Sequence, residues 1–268
     1  ARGASRNMPI ADLVKEAETI AALGLKEIVI TGINTGDFGR TTGERFVDLL
    51  RALNDVDGIE RYRISSIEPN LITDEVIEFC ASSSKFQHHF HIPLQSGSDK
   101  ILGLMRRRYT SAKFADRINK VRELMPDSFI GIDVITGFPG ETEEDFQATY
   151  DLLAGLKPSF LHIFPFSERP GTPAVDMPDK VPARISTQRV ERLEELCRQL
   201  HHDFCSSMVG CEAEVLWEST MKGGMMLGYT GNYVRVKMPY RRDLINKICR
   251  VRLVAIEPNG DVCAEIVE

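Results

Sequence analysis

The chain has 268 residues, of which 43% are hydrophobic and 27% charged, and its formal net charge is −6. This composition fits one large globular domain, or one large and one small domain, and no apolar run approaches the ~18 residues that a membrane span needs. The six cysteines are scattered without a CxxC pair and no signal peptide precedes them, so we expect reduced thiols and a cytoplasmic location without membrane contact. The first residue is not Met, which suggests that the sequence is part of a longer protein.

Short β-type runs alternate with amphipathic helical stretches in the first part of the chain. The runs are KEIVIT (26–31), RYRISS (61–66), QHHFHIP (87–93), FIGIDVIT (129–136) and SFLHIF (159–164). Strands separated by helices predict βα units and a parallel sheet with right-handed crossovers.

Polar residues on one face of several strands favour a barrel over a doubly wound sheet. Arg63, His89 and Asp133 each occupy one face of their strand, whereas a doubly wound sheet is usually apolar on both faces. A barrel lumen that holds water or a ligand accommodates such residues. We therefore predict an α/β fold with a partial parallel (β/α) barrel, and a doubly wound sheet is the alternative.

The predicted secondary structure changes towards the carboxyl end of the chain. A helical stretch runs from about Pro182 to Met208, and short alternating strands with Gly and Pro turns follow Gly210. We predict a barrel core at 1–180, a linker helix at 181–208 and a small all-β barrel at 209–268.

The predicted small barrel is locally basic. Residues 220–252 contain eight basic residues and one acid, Asp243, with tyrosines interspersed. In YVRVKM the basic side chains alternate with Val234 and Val236, so they share a face. Such a surface suits RNA, although a solvated face of an ordinary barrel looks the same. The candidate RNA-binding residues are Lys222, Arg235, Lys237, Arg241, Arg242, Arg250 and Arg252.

The loops that follow the strands are the candidate ligand sites, because ligands of α/β folds bind at the carboxyl ends of strands. GINTGDFG lacks the Rossmann glycine spacing. In LQSGSD, Ser98 is predicted to cap a helix, which leaves Gln95 as the better ligand candidate. The histidines of QHHFHIP have no nearby acid or thiol pattern to complete a ligand set, so no metal site is predicted.

GFPGET, after the fourth run, predicts both a ligand contact and a helix start. Gly137 and Gly140 allow the backbone to approach a ligand closely, and Thr142 with Asp145 forms a predicted capping box. An adenine or a phosphate would fit against such a turn.

The set of loops resembles a known family. ITGINTGDFG, RISSIEP, HIPLQSGSDKILGLMRRRYT, GIDVITGFPGETEEDF and HIFPFSERPGTPA occur in this order, as in the radical S-adenosylmethionine (SAM) methylthiotransferases. These enzymes thiomethylate adenosine in tRNA or an Asp of a ribosomal protein. The residues of ITGINTGDFG and FSERPGTPA are most similar to the branch that acts on threonylcarbamoyladenosine next to the anticodon. Residues 205–268 resemble the TRAM module, an RNA-binding β-barrel.

The resemblance implies a site for SAM. Gly131, Ile135 and Gly137 correspond to the adenine side, Gly32 and Asn34 to the methionyl end, and Gln95 with Ser96 to the ribose. Arg107 is a candidate for the methionine carboxylate, and Glu68 also points towards the site. The implied reaction is radical methylthiolation of tRNA, with a reductant protein as a further partner.

The sequence departs from the family in one respect. The family holds its catalytic [4Fe–4S] cluster with a C-x3-C-x2-C loop, and this motif is absent here. We therefore expect that this chain alone holds no cluster, and we assign it no metal ligands and no catalytic residue. Two other interpretations remain open: a ribosomal-protein aspartate methylthiotransferase, and a non-catalytic RNA-binding fragment.

Overall fold

The computed structural model describes residues 7–267 and contains a parallel β/α core followed by a small barrel. The core strands β1–β5 lie at Glu27–Ile30, Arg61–Ile64, His89–His91, Phe129–Thr136 and Phe160–Pro165. The core helices α1–α6 lie at Ile10–Ala22, Phe46–Asn54, Asp74–Ser82, Asp99–Leu104, Ser111–Leu124 and Glu143–Leu156. The predicted α/β class is confirmed.

The five core strands form an arc in sequence order. β1 pairs with β2 and β3–β4–β5 pair with one another, all in parallel. β2 and β3 meet through two isolated bridges, Tyr62–Phe86 and Ser66–His91. Within residues 7–267, β1 and β5 do not pair, so the arc is open and the partial barrel is confirmed.

The two faces of β4 show why the open arc curves around a polar lumen. Ile130, Ile132 and Val134 are fully buried in the hydrophobic core beneath the helices. Gly131 and Asp133 lie on the opposite face, because side chains alternate along a strand. The division of faces read from the sequence is therefore confirmed.

Helix starts are set by local hydrogen bonds. Ser98 and Thr142 accept hydrogen bonds from backbone N–H groups in the first turns of α4 and α6, and Asp145 completes the capping box with Thr142. Both capping predictions are confirmed.

A long helix, α7 (Ala183–Ser207), leads into the small barrel. The barrel strands β6–β10 lie at Glu212–Lys222, Met225–Thr230, Arg235–Pro239, Ile248–Ile256 and Val262–Ile266, and close in the order β10-β8-β7-β6-β9. Trp217, Val236 and Leu253 fill its interior. Among the residues described, no helix has the length and apolar run needed to cross a membrane.

Candidate functional site

The loops at the carboxyl ends of the core strands form one continuous rim. Thr35 N–H, after β1, donates to Ser66 O, after β2, at 2.9 Å. Ile135 N–H of β4 donates to Gln95 O at 2.9 Å, and Phe166 N–H, after β5, donates to Thr136 O at 2.8 Å. The predicted ligand loops therefore lie next to one another at the same end of the partial barrel.

Two predicted site residues from distant loops meet at this rim. Arg107 Nη1 lies 2.9 Å from Glu68 Oε1, and both side chains are about three-quarters buried. Asn34 Oδ1 accepts a hydrogen bond from Glu68 N–H at 3.2 Å, which joins the first and second loops. Arg107 Nε is buried and has no hydrogen-bond partner among the residues described. Gly32 precedes this cluster and is exposed.

Gln95 and Ser96 play different parts. Gln95 has a positive φ of 70°, which is uncommon for a residue with a side chain, and pairs with β4 through backbone hydrogen bonds. Ser96 is fully buried, and its hydroxyl lies 3.3 Å from that of Thr149 and accepts from Ser98 N–H. The buried hydroxyl of Ser96 thus stabilises the loop through hydrogen bonds, whereas the backbone of Gln95 adopts an unfavourable conformation that places this residue at the rim.

Gly137 is held by residues that sequence reasoning missed. It has φ +77°, and its N–H donates to Glu141 Oε2 at 2.7 Å. Arg189 of α7 donates to the same carboxylate oxygen at 2.6 Å, and both side chains are buried. Burial raises the pKa of Glu141, against the lowering effect of these two donors. A Cβ at Gly137 would lie 2.6 Å from Ser186 Oγ, so α7 packs directly on the turn.

The lumen below the rim carries a cluster of three side chains from adjacent strands. His91 Nε2 of β3 lies 2.6 Å from Asp133 Oδ1 of β4, and His162 of β5 lies opposite Asp133 in the strand register. Burial lowers the pKa of His162, as does the neighbouring His91. Gly131 lies beside both imidazoles, four residues before Ile135. Gly131 is therefore deeper in the lumen than the other predicted adenine-side residues.

The lumen floor is closed by the small barrel. Arg61 and Arg63 of β2 are buried and donate to backbone carbonyls of residues 214 and 229–231. The ring of Tyr233 packs against that of His89 at a tilt of 49°, with ring centroids 4.5 Å apart. Burial, together with the charge of Arg63, lowers the pKa of His89 to about 3. Arg63 and His89 thus hold the two parts of the chain together rather than lining an open ligand site.

The predicted basic face of the barrel is largely ion-paired. Arg235 pairs with Asp261, Lys237 with Glu257, and Arg241 with Asp243.

Arg250 and Arg252 share one carboxylate, that of Glu212, and both remain more than half exposed. Lys222 and Arg242 are exposed and have no ion-pair partner within the described range. The net positive charge is therefore concentrated at these residues rather than at Arg235 and Lys237.

The cysteines do not form a ligand set for an iron–sulfur cluster. Cys80, Cys197 and Cys205 are buried, and Cys211 is exposed. Among residues 7–267, the metal-compatible group of side chains is the His91, Asp133 and His162 cluster, which contains no thiol. The described residues thus do not fit a [4Fe–4S] cluster, which needs thiolate ligands.

Comparisons with known proteins agree with this geometry. Residues 1–153 match the model of the radical SAM superfamily. The chain is 43% identical to the threonylcarbamoyladenosine tRNA methylthiotransferase MtaB of Bacillus subtilis, over 95% of this chain and 58% of that protein. It is 35% identical to the tRNA-2-methylthio-N(6)-dimethylallyladenosine synthase of Alkaliphilus oremlandii, over 98% of this chain and again 58% of the relative. The chain thus spans less than two thirds of the length of these relatives.

A solved structure shows the same fold. Coproporphyrinogen III oxidase (HemN) of Escherichia coli, described as a radical SAM enzyme, superposes with a TM-score of 0.52 over 71% of this chain and 45% of the oxidase. The two sequences are 18% identical, so this likeness concerns the fold alone.

Proposed function

The chain belongs to the radical SAM superfamily, and from this premise we propose that it forms the SAM-binding and RNA-binding part of a tRNA methylthiotransferase. The proposed substrate is the N6-threonylcarbamoyladenosine next to the anticodon. The proposed partners are tRNA and a reductant protein, and the proposed location is cytoplasmic.

The observation that carries the proposal is the pairing of Glu68 and Arg107 at the rim. The methionyl end of SAM carries one ammonium and one carboxylate, and this ion pair presents one partner for each. The unsatisfied Nε of Arg107 supplies a further donor for the carboxylate. An exchange of partners between ligand and protein would leave neither the ammonium nor the carboxylate unpaired, so the residues present fit the methionyl end of this cofactor.

The remaining rim residues are proposed to fix the nucleoside part. Gln95 supplies an amide for the ribose hydroxyls, Ser96 supports its loop, and Gly32 and Asn34 border the methionyl end. Ile135 and Gly137 leave an apolar strand end and an open turn for the adenine, with Gly131 below them in the lumen.

In the full-length protein a [4Fe–4S] cluster would supply the electron for cleavage of SAM, and the described residues do not provide its thiolate ligands. The described residues are proposed to bind and orient the cofactor. No catalytic residue is assigned among them.

The choice of tRNA rests on two supports. The relatives named above are tRNA-modifying enzymes by their names, and the barrel carries exposed cations at Lys222, Arg242, Arg250 and Arg252. The choice of threonylcarbamoyladenosine rests on the alignment with the Bacillus subtilis enzyme, which combines 43% identity with 95% of this chain.

Nucleoside mass spectrometry of tRNA tests the proposed substrate. The full-length protein, expressed in a host that lacks its own methylthiotransferases, should add a methylthio group to threonylcarbamoyladenosine. Methylthiolation of dimethylallyladenosine instead would overturn the substrate, and modification of a ribosomal-protein Asp without any tRNA product would overturn the class.

Equilibrium binding of SAM to the full-length protein tests the site. Arg107→Ala should weaken binding by about tenfold or more, because a charge-assisted hydrogen bond contributes about 1.5–3 kcal/mol. Arg108→Ala, an exposed neighbour, is the matched control and should bind normally. Equal affinity of the two variants would contradict the placement of the methionyl end.

A further inference from the structure

The cluster in the lumen, formed by His91, Asp133 and His162, has the composition of a transition-metal site. The three side chains offer one ligand atom each, and these atoms lie within 4.8 Å of one another. Two imidazoles and one carboxylate are a common ligand set for Zn²⁺ and for other divalent ions of the first transition row.

The ligand atoms need only a small adjustment to enclose an ion. Around a tetrahedral Zn²⁺, with bonds of about 2.0–2.2 Å, neighbouring ligand atoms are about 3.4 Å apart. The hydrogen-bonded pair of His91 and Asp133 is closer than this, at 2.6 Å, and no two of the three ligand atoms are more than 4.8 Å apart. Rotation of the two side chains would widen the separation between His91 and Asp133 towards the required value.

The backbone places these ligands rigidly. Asp133 and His162 are direct neighbours in the parallel register of β4 and β5, and His91 is the last residue of β3. Sites built on strands hold their geometry better than sites built on loops. A three-residue site of this kind is therefore preorganised before any ion binds.

Space for an ion and a further ligand is also present. Gly131 lies between the two histidines, where an added Cβ would be 3.7 Å from His162 Nε2 and 3.9 Å from His91 Cδ2. A side chain at this position would fill the space beside the cluster. His162 is exposed to the lumen and forms no hydrogen bond with the other residues described, so its ring nitrogens are available.

We propose that His91, Asp133 and His162 bind one divalent first-row transition ion such as Zn²⁺, with an open coordination position facing the lumen. Three protein ligands and an open fourth position are typical of reactive rather than purely structural zinc sites. In the free protein His91 Nε2 donates its proton to the Asp133 carboxylate. On binding, the imidazole exchanges this proton through solvent for one on Nδ1, so that Nε2 is free to become a ligand. This proposal rests on the three side chains alone and not on the proposed function.

Calorimetric titration with Zn²⁺ tests the proposal. It is performed on the protein in a Cys211→Ser background, because the exposed thiol of Cys211 would bind zinc independently. One equivalent of Zn²⁺ should bind, and His162→Ala should weaken binding by about tenfold or more, since even loss of a supporting hydrogen bond to a ligand costs 10–100-fold. His162 carries no hydrogen bond in the fold, so this variant retains the His91–Asp133 pair.

The chain provides a matched control. His88 and Asp127 form a second His–Asp pair, with Nδ1 and Oδ1 2.7 Å apart, but they belong to no three-residue group. His88→Ala should leave the zinc affinity unchanged. Absence of stoichiometric binding, or equal affinities of the His162→Ala and His88→Ala variants, would overturn the proposal. Asp133→Asn and the absorption spectrum of bound Co²⁺ provide a second measure of the same ligands.

Discussion

The guanidinium of Arg63 donates to the carbonyl oxygen of Gly231 at 2.7 Å, across a sequence separation of 168 residues. The same side chain donates to Thr230 O at 2.8 Å and to Glu27 Oε1 at 2.9 Å, and it is almost fully buried. A single residue of the core therefore satisfies two backbone carbonyls of the small barrel. The orientation of the barrel relative to the lumen is fixed by hydrogen bonds that only a planar, multidentate donor can make.

Arg63→Ala should loosen this junction. The substitution leaves the Gly231 carbonyl and the Glu27 carboxylate without this donor, whereas Thr230 O keeps the N–H of Tyr233. Each unsatisfied buried group costs about 1–3 kcal/mol. We expect a loss of roughly 3–5 kcal/mol in the free energy of unfolding, measured by urea denaturation, and faster proteolysis near residues 205–211.

Two variants bracket this result. Arg63→Lys should recover only part of the loss, because one ammonium cannot reach all three acceptors. Arg198→Ala removes an exposed Arg–Glu pair on α7 and should change stability by less than about 1 kcal/mol. A stable Arg63→Ala variant with unchanged proteolysis would show that the junction does not depend on this residue.

The turn at Gly137 depends on its contact with α7. Gly137→Ala would place a Cβ 2.6 Å from Ser186 Oγ and 2.9 Å from Ser186 Cβ, in a backbone conformation with φ +77°. We expect a lower melting temperature and weaker SAM binding. Ser186→Gly in the same protein removes the clash and leaves the backbone strain at position 137, about 1 kcal/mol. It adds the cost of a glycine within α7, which is no more than about 1 kcal/mol. A double variant no more stable than Gly137→Ala alone would argue against this steric explanation.

Arg189 should contribute far more to the free energy of unfolding than its neighbour Arg192. Arg189→Ala leaves Glu141 buried without its cation, and breaking a buried pair in this way costs about 3–5 kcal/mol. Arg192 is exposed and pairs with the exposed Glu143, so Arg192→Ala should cost less than about 1 kcal/mol. Urea denaturation of the two variants measures the difference, and similar values would contradict the assigned role of Glu141 as the anchor of the Gly137 turn.

The capping box of α6 makes stability depend on acidic pH. Burial opposes ionisation of Asp145, yet hydrogen bonds from Lys100, Thr142 and Ser98 outweigh it and hold its pKa below the ordinary value. Because the pKa is lowered in the folded state, the stabilisation is complete above the unfolded value near 4 and is lost as pH falls below it. Asp145→Asn should therefore lower the free energy of unfolding at pH 7. At pH 3 the difference in this free energy between the variant and the wild type should be smaller. An equal loss at both pH values would exclude the carboxylate charge as the cause.

Local features of this fold were predictable, and long-range pairs were not. The caps Ser98 and Thr142 and the buried face of β4 follow from neighbouring residues, so the sequence pattern was sufficient. The pairing of His91 with Asp133 joins residues 42 apart in sequence, and that of Arg189 with Glu141 joins residues 48 apart.

The missing information in such cases is the register between strands and the packing of helices on loops. QHHFHIP contains histidines as its only metal-binding residues. The acid next to His91, Asp133, lies on the neighbouring strand, and the sequence does not give the register that brings them together. Likewise, the sequence pattern correctly placed Arg63 on the polar face of its strand. The pattern did not show that Arg63 binds carbonyl groups of the small barrel instead of a ligand.

The distribution of ion pairs on the small barrel predicts which cations contribute to tRNA binding. Arg250 and Arg252 share a single carboxylate and remain exposed, so together they retain net positive charge, whereas Lys237 is shielded by Glu257 and is mostly buried. Arg252→Ala should weaken tRNA binding and reduce the slope of log K against log salt by about 1, as expected for one lost phosphate contact. Lys237→Ala is the matched control on the neighbouring face and should change the slope little. Binding of tRNA to the full-length protein at several salt concentrations measures both slopes, and a larger effect of Lys237→Ala would place the RNA on the other face of the barrel.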